Sequence, residues 1–366
     1  MNKNAIKDLK KIVWILLLLA STSCRDTDKK TKVSDQSIDM MAYFEELRNK
    51  NFSGVILVNE GETITHQISF GYRDKANGLL NELNTIFDIG SLTKQFTAAC
   101  ILKLKQNKKI ALDETLSKFF HNVPEDKKNI TIHHLLTHSS GLVDIIGDDY
   151  EAISESNFVA KVFEEELLTP IGSKYNYSNI GYSLLTLIIE KVSGTSYEAF
   201  LRQEIFAPSN MNCTGYLMPD WDVKNIAKGY LNDEELKRPN EEPWDSDGPF
   251  LNLKGNGGLL SNASDLLKWS RSINDCTVLN KELTELYLYP HIKEYENGNS
   301  FYGYGWVVQN TRLGDKYFWH NGGNDIFFAD MWVFPEDDLS IIVLCNKYDP
   351  YVDGISSRLI KILRNA

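Results

Sequence analysis

A chain of 366 residues can bury a substantial core as one large domain or two closely joined subdomains, and 42% hydrophobic with 24% charged residues is an ordinary globular balance. The formal net charge is -11, and its 39 Lys and Arg are dispersed without a basic stripe or aromatic-basic interleaving, which argues against nucleic acid as a partner. Five cysteines without a Cys-x-x-Cys pair do not make a zinc site.

At the start, Lys3, Lys7, Lys10 and Lys11 precede an apolar run from Ile12 to Ala20, then Ser21-Thr22-Ser23-Cys24. This is the pattern of a secretory signal, with a core too short to span a bilayer stably. The small residues before Cys24 resemble a bacterial lipobox, where cleavage precedes a lipid-modified cysteine; a plain secretory signal with Cys24 incidental is the alternative. The expected organisation is a lipoprotein signal over 1–23, a flexible polar tether over 24–36, and one folded domain over 37–366.

A helix is expected from about Ile38 to Lys50, then strands Gly54 to Asn59 and Thr63 to Tyr72 joined as a hairpin at Glu60-Gly61. An extended run from Asn84 to Ile89 ends at Gly90-Ser91, and Leu92, Phe96, Ala99 and Cys100 recur at helical spacing. Ser91 therefore opens a buried helix, with Lys94 three residues on over the same face. The helix N-terminus and burial both disfavour the ammonium, and a neutral amine can take the proton of a nucleophilic serine. Ser91 as an ordinary N-cap beside a solvated Lys94 is the competing reading.

Ile130 to Leu142 predicts a short helix capped by Thr131 and stopped at Ser140-Gly141. His134 and His138 lie four apart there, but without a His-Glu-x-x-His arrangement they read as structural histidines rather than metal ligands. Asp144 to Asn157 reads as an acidic surface segment. Tyr177 and Asn179 stand at the entrance of an apolar helix, Leu184 to Val192, closed by Ser193-Gly194. Residues 229 to 250 read as a long loop, and Gly255 to Asp265 as a tight turn feeding a capped helix that ends near Ile273. Strands are expected at Tyr317 to His320, Ile326 to Phe334 and Leu339 to Cys345, with a terminal helix from Val352 to Leu363. Cys100 and Cys345 read as buried thiols, and a Cys213–Cys276 bridge is left open. Strands at both ends with helices between predict an α/β (α+β) fold: an antiparallel sheet from about 50–90 and 300–366, flanked by helices, with a mainly helical insertion and a site at the seam.

In this order, Ser91-Leu-Thr-Lys94, Tyr177-Ser-Asn179 and His320-Asn-Gly322 resemble the serine β-lactamase and penicillin-binding-protein superfamily, most of all its class C β-lactamase-related hydrolases. The runs His134 to Gly141, Gly255 to Asp265 and Tyr302 to Trp306 are similar too. The resemblance implies Ser91 as acylated nucleophile, Lys94 as its proton acceptor and Tyr177 as a second base, its ionisation eased by a lysine ammonium or its proton shared with the lysine as a coupled pair. It implies Asn179, His320, Gly322 and Gly323 around the substrate, with the backbone N–H groups of Ser91 and Gly323 as oxyanion hole and no metal or organic cofactor. His320 stands where relatives carry Lys or His, and in place of Lys it gives up a permanent cation, so esterase or D-peptidase activity is expected ahead of β-lactam hydrolysis. Asp325-Ile326-Phe327 departs from the Gly-Phe of many relatives. The expected protein is a lipid-anchored serine hydrolase of the bacterial cell envelope, periplasm or outer membrane, acting on a small ester, D-amino-acid peptide or β-lactam-like substrate. A β-lactam or peptidoglycan-peptide sensor with slow or no turnover is the alternative. No α/β-hydrolase Gly-x-Ser-x-Gly occurs.

Overall fold

The computed structural model describes residues 26–311 and 314–364. The expected signal segment and Cys24 lie outside the described residues. The chain divides into two compact units, one of residues up to 51 with those from 357 onward, the other of residues 52–356. In the first unit, helix α1 runs Asp26–Asn49. Most of the expected flexible tether is thus helical. The stretch contains neither Gly nor Pro, the two residues that most disfavour a helix interior. Among the described residues, no helix is long and apolar enough to cross a membrane.

The second unit is built on an eight-stranded antiparallel sheet. Its strands are β1 (Gly54–Glu60), β2 (Thr63–Phe70), β3 (Ile292–Lys293), β4 (Ser300–Tyr302), β5 (Val307–Asn310), β6 (Lys316–Gly323), β7 (Phe328–Phe334) and β8 (Leu339–Cys345). Their spatial order is β2-β1-β8-β7-β6-β5-β4-β3. The early hairpin joins the late strands through β1 and β8, in register from Gly54 opposite Cys345 to Glu60 opposite Leu339. Val55 to Val58 and Ile341 to Cys345 are continuous apolar runs, and β8 is buried along its whole length, as residues covered on both faces must be.

Between the two strand groups lies the helical insertion. Helix α2 (Thr93–Gln106) is buried from Thr93 to Leu102. Phe96 on α2 lies 5.3 Å from Phe206 and 4.9 Å from Trp269 between ring centroids, geometry that adds to area burial. Helix α3 (Ile132–Leu136) starts at Thr131 in a reciprocal capping box with His134, so His134 is spent on its own helix start. Helix α4 (Asn179–Ser193) begins at the Ser178 cap and ends at Gly194, whose φ of 76° is the left-handed stop glycine permits.

Cys213 and Cys276, whose pairing the sequence leaves open, are separate free thiols. Two expectations are corrected. The long loop at 229–250 contains a short hairpin, Tyr230–Leu231 with Glu234–Glu235. The strand expected from Ile326 begins at Phe328. The Asn324 side chain accepts the N–H groups of Ile326 at 2.9 Å and Phe327 at 2.7 Å and folds those residues into a turn.

Candidate active site

Short antiparallel pairing of Phe87–Asp88 with Leu260–Ser261 sets the approach to Ser91. The chain then turns through Gly90, at φ 49°, into the 3-10 turn Gly90–Leu92 and α2. Only glycine fits at 90, because a Cβ there would stand 2.3 Å from the Gly323 nitrogen. At Gly322 an added Cβ would stand 2.2 Å from the Ser91 nitrogen. The end of β6 therefore lies backbone to backbone against the nucleophile turn.

The structure brings Ser91, Lys94 and Tyr177 together. Lys94 Nζ is 3.1 Å from Ser91 Oγ, and the Tyr177 hydroxyl donates to the same oxygen at 3.0 Å. Lys94 also donates to Asn179 Oδ1 at 2.6 Å and to the Asn256 carbonyl at 2.7 Å. Burial pushes its pKa down to about 7, against the pull of the Asp144 and Asp149 carboxylates. A neutral amine has two N–H donors. With both given to Asn179 and Asn256, its lone pair is left for the Ser91 proton.

Tyr177 differs from expectation. Burial raises its pKa well above the ordinary phenol, with Asp144 adding to the rise and only the Ser91 hydrogen bond opposing it. A lysine that is itself losing its charge near neutrality offers no ammonium to offset that burial, so Tyr177 stays a phenol rather than a tyrosinate.

His320, 4% exposed, points into the same cleft from β6. Its Nδ1 faces the Asn321 carbonyl, which fixes the proton there, and Nε2 accepts from the Tyr302 hydroxyl at 3.0 Å. Burial, reinforced by Lys94, lowers its pKa to about 3, so the ring is neutral and both nitrogens are engaged.

Two cavities open on Ser91. One, of about 320 Å³, is lined by Tyr175, Tyr177, Glu294, Tyr302, His320 and Gly323 among others. The other, of about 360 Å³, is lined by Asp88, Asp148, Asp149, Asn179, Asn256 and Asn324 among others. Neither lining includes Lys or Arg among the described residues. Burial raises the pKa of Glu294 and Asp149, and that of Asp88 to about 6.

The sequence reading missed several of these neighbours. The segment taken as acidic surface contributes Asp148 and Asp149 to a cavity wall. Asn256 acts through a carbonyl that carries no sequence signature. In the sequence Tyr302 stands out only as part of a glycine-aromatic run. His134 and His138 accept backbone N–H groups, from Thr131 and Ser178.

A family model described as Beta-lactamase matches residues 41–363. Penicillin-binding protein 4* of Bacillus subtilis (strain 168) is 30% identical over 84% of this chain and 71% of its own length. The chain spans 66% to 71% of the length of the curated relatives it matches first. Among solved structures, the octameric penicillin-binding protein homologue from Pyrococcus abyssi is 28% identical with a TM-score of 0.75, over 90% of this chain and 78% of that one. The D-amino acid amidase from Ochrobactrum anthropi SV3, in complex with D-phenylalanine, shares the fold at a TM-score of 0.73 and 21% identity, over 90% of this chain and 99% of that one. With the family model matched over nearly the whole described chain, this protein belongs to the beta-lactamase family and is a serine hydrolase.

Proposed function

We propose that this chain is a lipid-anchored hydrolase that works through an acyl-enzyme on Ser91, taking a short ester or a D-amino-acid amide in preference to a peptide or β-lactam that presents a free carboxylate. The observation that carries the reading is the placement of Ser91 Oγ between a lysine poised to lose its charge and a protonated tyrosine. Lys94 Nζ takes the Ser91 proton as Oγ bonds to the substrate carbonyl carbon. The oxyanion is received by the N–H groups of Ser91 and Gly323. Tyr177 gives its hydroxyl proton to the leaving oxygen or nitrogen and is reprotonated from Lys94, after which water attacks the acyl carbon, giving its proton to the neutral Lys94–Tyr177 pair, which returns one to Ser91 Oγ as the ester bond breaks. Asn179 and Asn256 hold the lysine throughout.

The preference against carboxylates rests on charge. Substrate carboxylates call for a fixed cation, yet the lining beside Ser91 offers Glu294 on one side and Asp88, Asp148 and Asp149 on the other, with a neutral His320 between. Esters and unblocked amino-acid amides meet no such repulsion. The envelope location and the anchor rest on the Lys-rich start, the apolar run and Cys24.

The test is intact mass after a fluorophosphonate, parent against Ser91→Ala. One adduct on the parent, absent from the variant, is expected, as is a mature chain that begins at Cys24 with the added mass of acyl groups. An unlabelled, folded parent would refute the hydrolase reading, and an unmodified Cys24 would remove the anchor. Panels of esters, D-amino-acid amides and β-lactams then rank the substrates. Acylation by β-lactams in a long-lived adduct, with no ester or amide turnover, would replace hydrolysis by a sensor.

A further inference from the structure

His138 is fully buried beside the site, and the chemistry proposed for Ser91 does not use it. Its backbone carbonyl accepts the N–H of Asn176 at 2.7 Å. Its Nδ1 accepts the N–H of Ser178 at 3.0 Å. Its ring stacks on that of Tyr177, centroids 4.2 Å apart at 29°. Three consecutive residues are thus held by one side chain and its own backbone, with Tyr177 in the middle.

The choice of histidine is not explained by packing. Since Ser178 donates to Nδ1, the ring proton sits on Nε2, and that buried atom has no hydrogen-bond partner. Such an orphan carries an uncompensated desolvation penalty, which a phenylalanine of similar shape would avoid. What phenylalanine lacks is the Nδ1 acceptor. The backbone adds a second demand, because His138 has φ 54°, a conformation that histidine and asparagine tolerate better than most residues. Burial first, then Lys94 and His320, hold the ring well below the ordinary histidine range, so it stays neutral and keeps Nδ1 free to accept. The ring also meets Tyr302, centroids 4.7 Å apart, whose hydroxyl donates to His320.

We infer that His138 is a positioning residue for Tyr177: by gripping Asn176 and Ser178 and stacking on the ring between them, it sets the Tyr177 hydroxyl at hydrogen-bond distance from Ser91 Oγ. The inference rests on the hydrolase reading and deepens it. A merely structural histidine would lower reactivity whether or not Tyr177 has its hydroxyl; a positioning one acts through that hydroxyl alone.

The experiment is a double-mutant cycle on the rate of Ser91 phosphonylation by a fluorophosphonate, followed by intact mass, with thermal melts to verify folding. His138→Asn keeps an acceptor and suits the left-handed backbone but loses the stack. His138→Phe keeps the stack and loses the acceptor, and serves where the first fails to fold. Each is expected to slow labelling about 10- to 100-fold in the parent, the cost of misplacing a reacting group by about an ångström. In a Tyr177→Phe background each should slow it by less than about twofold. Equal losses in both backgrounds, or no loss in the parent, would overturn the inference. Tyr177→Phe labelling at the parent rate would overturn it too while leaving Ser91 as nucleophile, whereas an unlabelled parent would be a failure of the hydrolase reading itself.

Discussion

The helix wall of the site presents Lys94 and the strand wall presents His320, and the two are buried almost alike, at 0% and 4% exposed. Burial is the first cause of the fall in both, from 10.5 to about 7 for the lysine and from 6.5 to about 3 for the histidine. Equal displacement leads to opposite chemistry. The amine lands where its lone pair becomes available near neutral pH, while the imidazole lands where it is uncharged across that range and serves as an acceptor for Tyr302. In so dry a site lysine is the better base because its ordinary pKa is high enough to survive desolvation. The two walls differ in kind as well: the helix wall supplies side-chain functional groups, and the strand wall supplies close backbone approach at Gly322 and Gly323.

Removing the base should break the helix wall most severely. Lys94→Ala leaves Ser91 without a proton acceptor, and phosphonylation should slow by about 10²–10⁴-fold, the usual worth of general base catalysis. A variant within threefold of the parent would mean that another group takes the proton. The corresponding break in the strand wall is Gly322→Ala, whose new Cβ would meet the Ser91 nitrogen at 2.2 Å and the Ile89 carbonyl oxygen at 2.5 Å. Those are backbone atoms, so the strand and the nucleophile turn must part. Labelling should fall by about 100-fold and urea stability by about 1–3 kcal/mol. Unchanged labelling would show that β6 need not touch the turn.

What was legible in the sequence follows the same division. Ser91 and Lys94 could be paired because three residues on a helix are neighbours, a local rule that needs no tertiary information. Tyr177 and Asn179 could be placed at a helix entrance, and the glycines at 322 and 323 against a strand, through the resemblance and the order of the motifs. The early hairpin and the late strands could be assigned to one sheet, although the β1–β8 pairing itself appears only in three dimensions. The Asn256 carbonyl is a backbone atom with no sequence signature. The protonation of Tyr177 depends on burial by distant segments, which the motif does not report. Asp148 and Asp149 look like solvated charge until their loop is seen to end beside Ser91.

The comparison between the walls is sharpened by pH. Labelling of Ser91 should rise with pH through about 7 and then level off, because below that value Lys94 is an ammonium without a lone pair and above it the amine is free. A histidine could produce a limb in the same range, since an unperturbed imidazole titrates near 6.5. His320→Gln separates the two. Glutamine can still accept from Tyr302 through its amide oxygen, and with His320 ionised only below about 3, its loss takes no charge away from Lys94 near 7. The limb should therefore keep its position in the variant, even where the plateau is lower. Loss of the limb would assign the titration to His320 and reverse the roles of the two walls. A limb that stays put ties the reactivity of Ser91 to the lysine on its own helix.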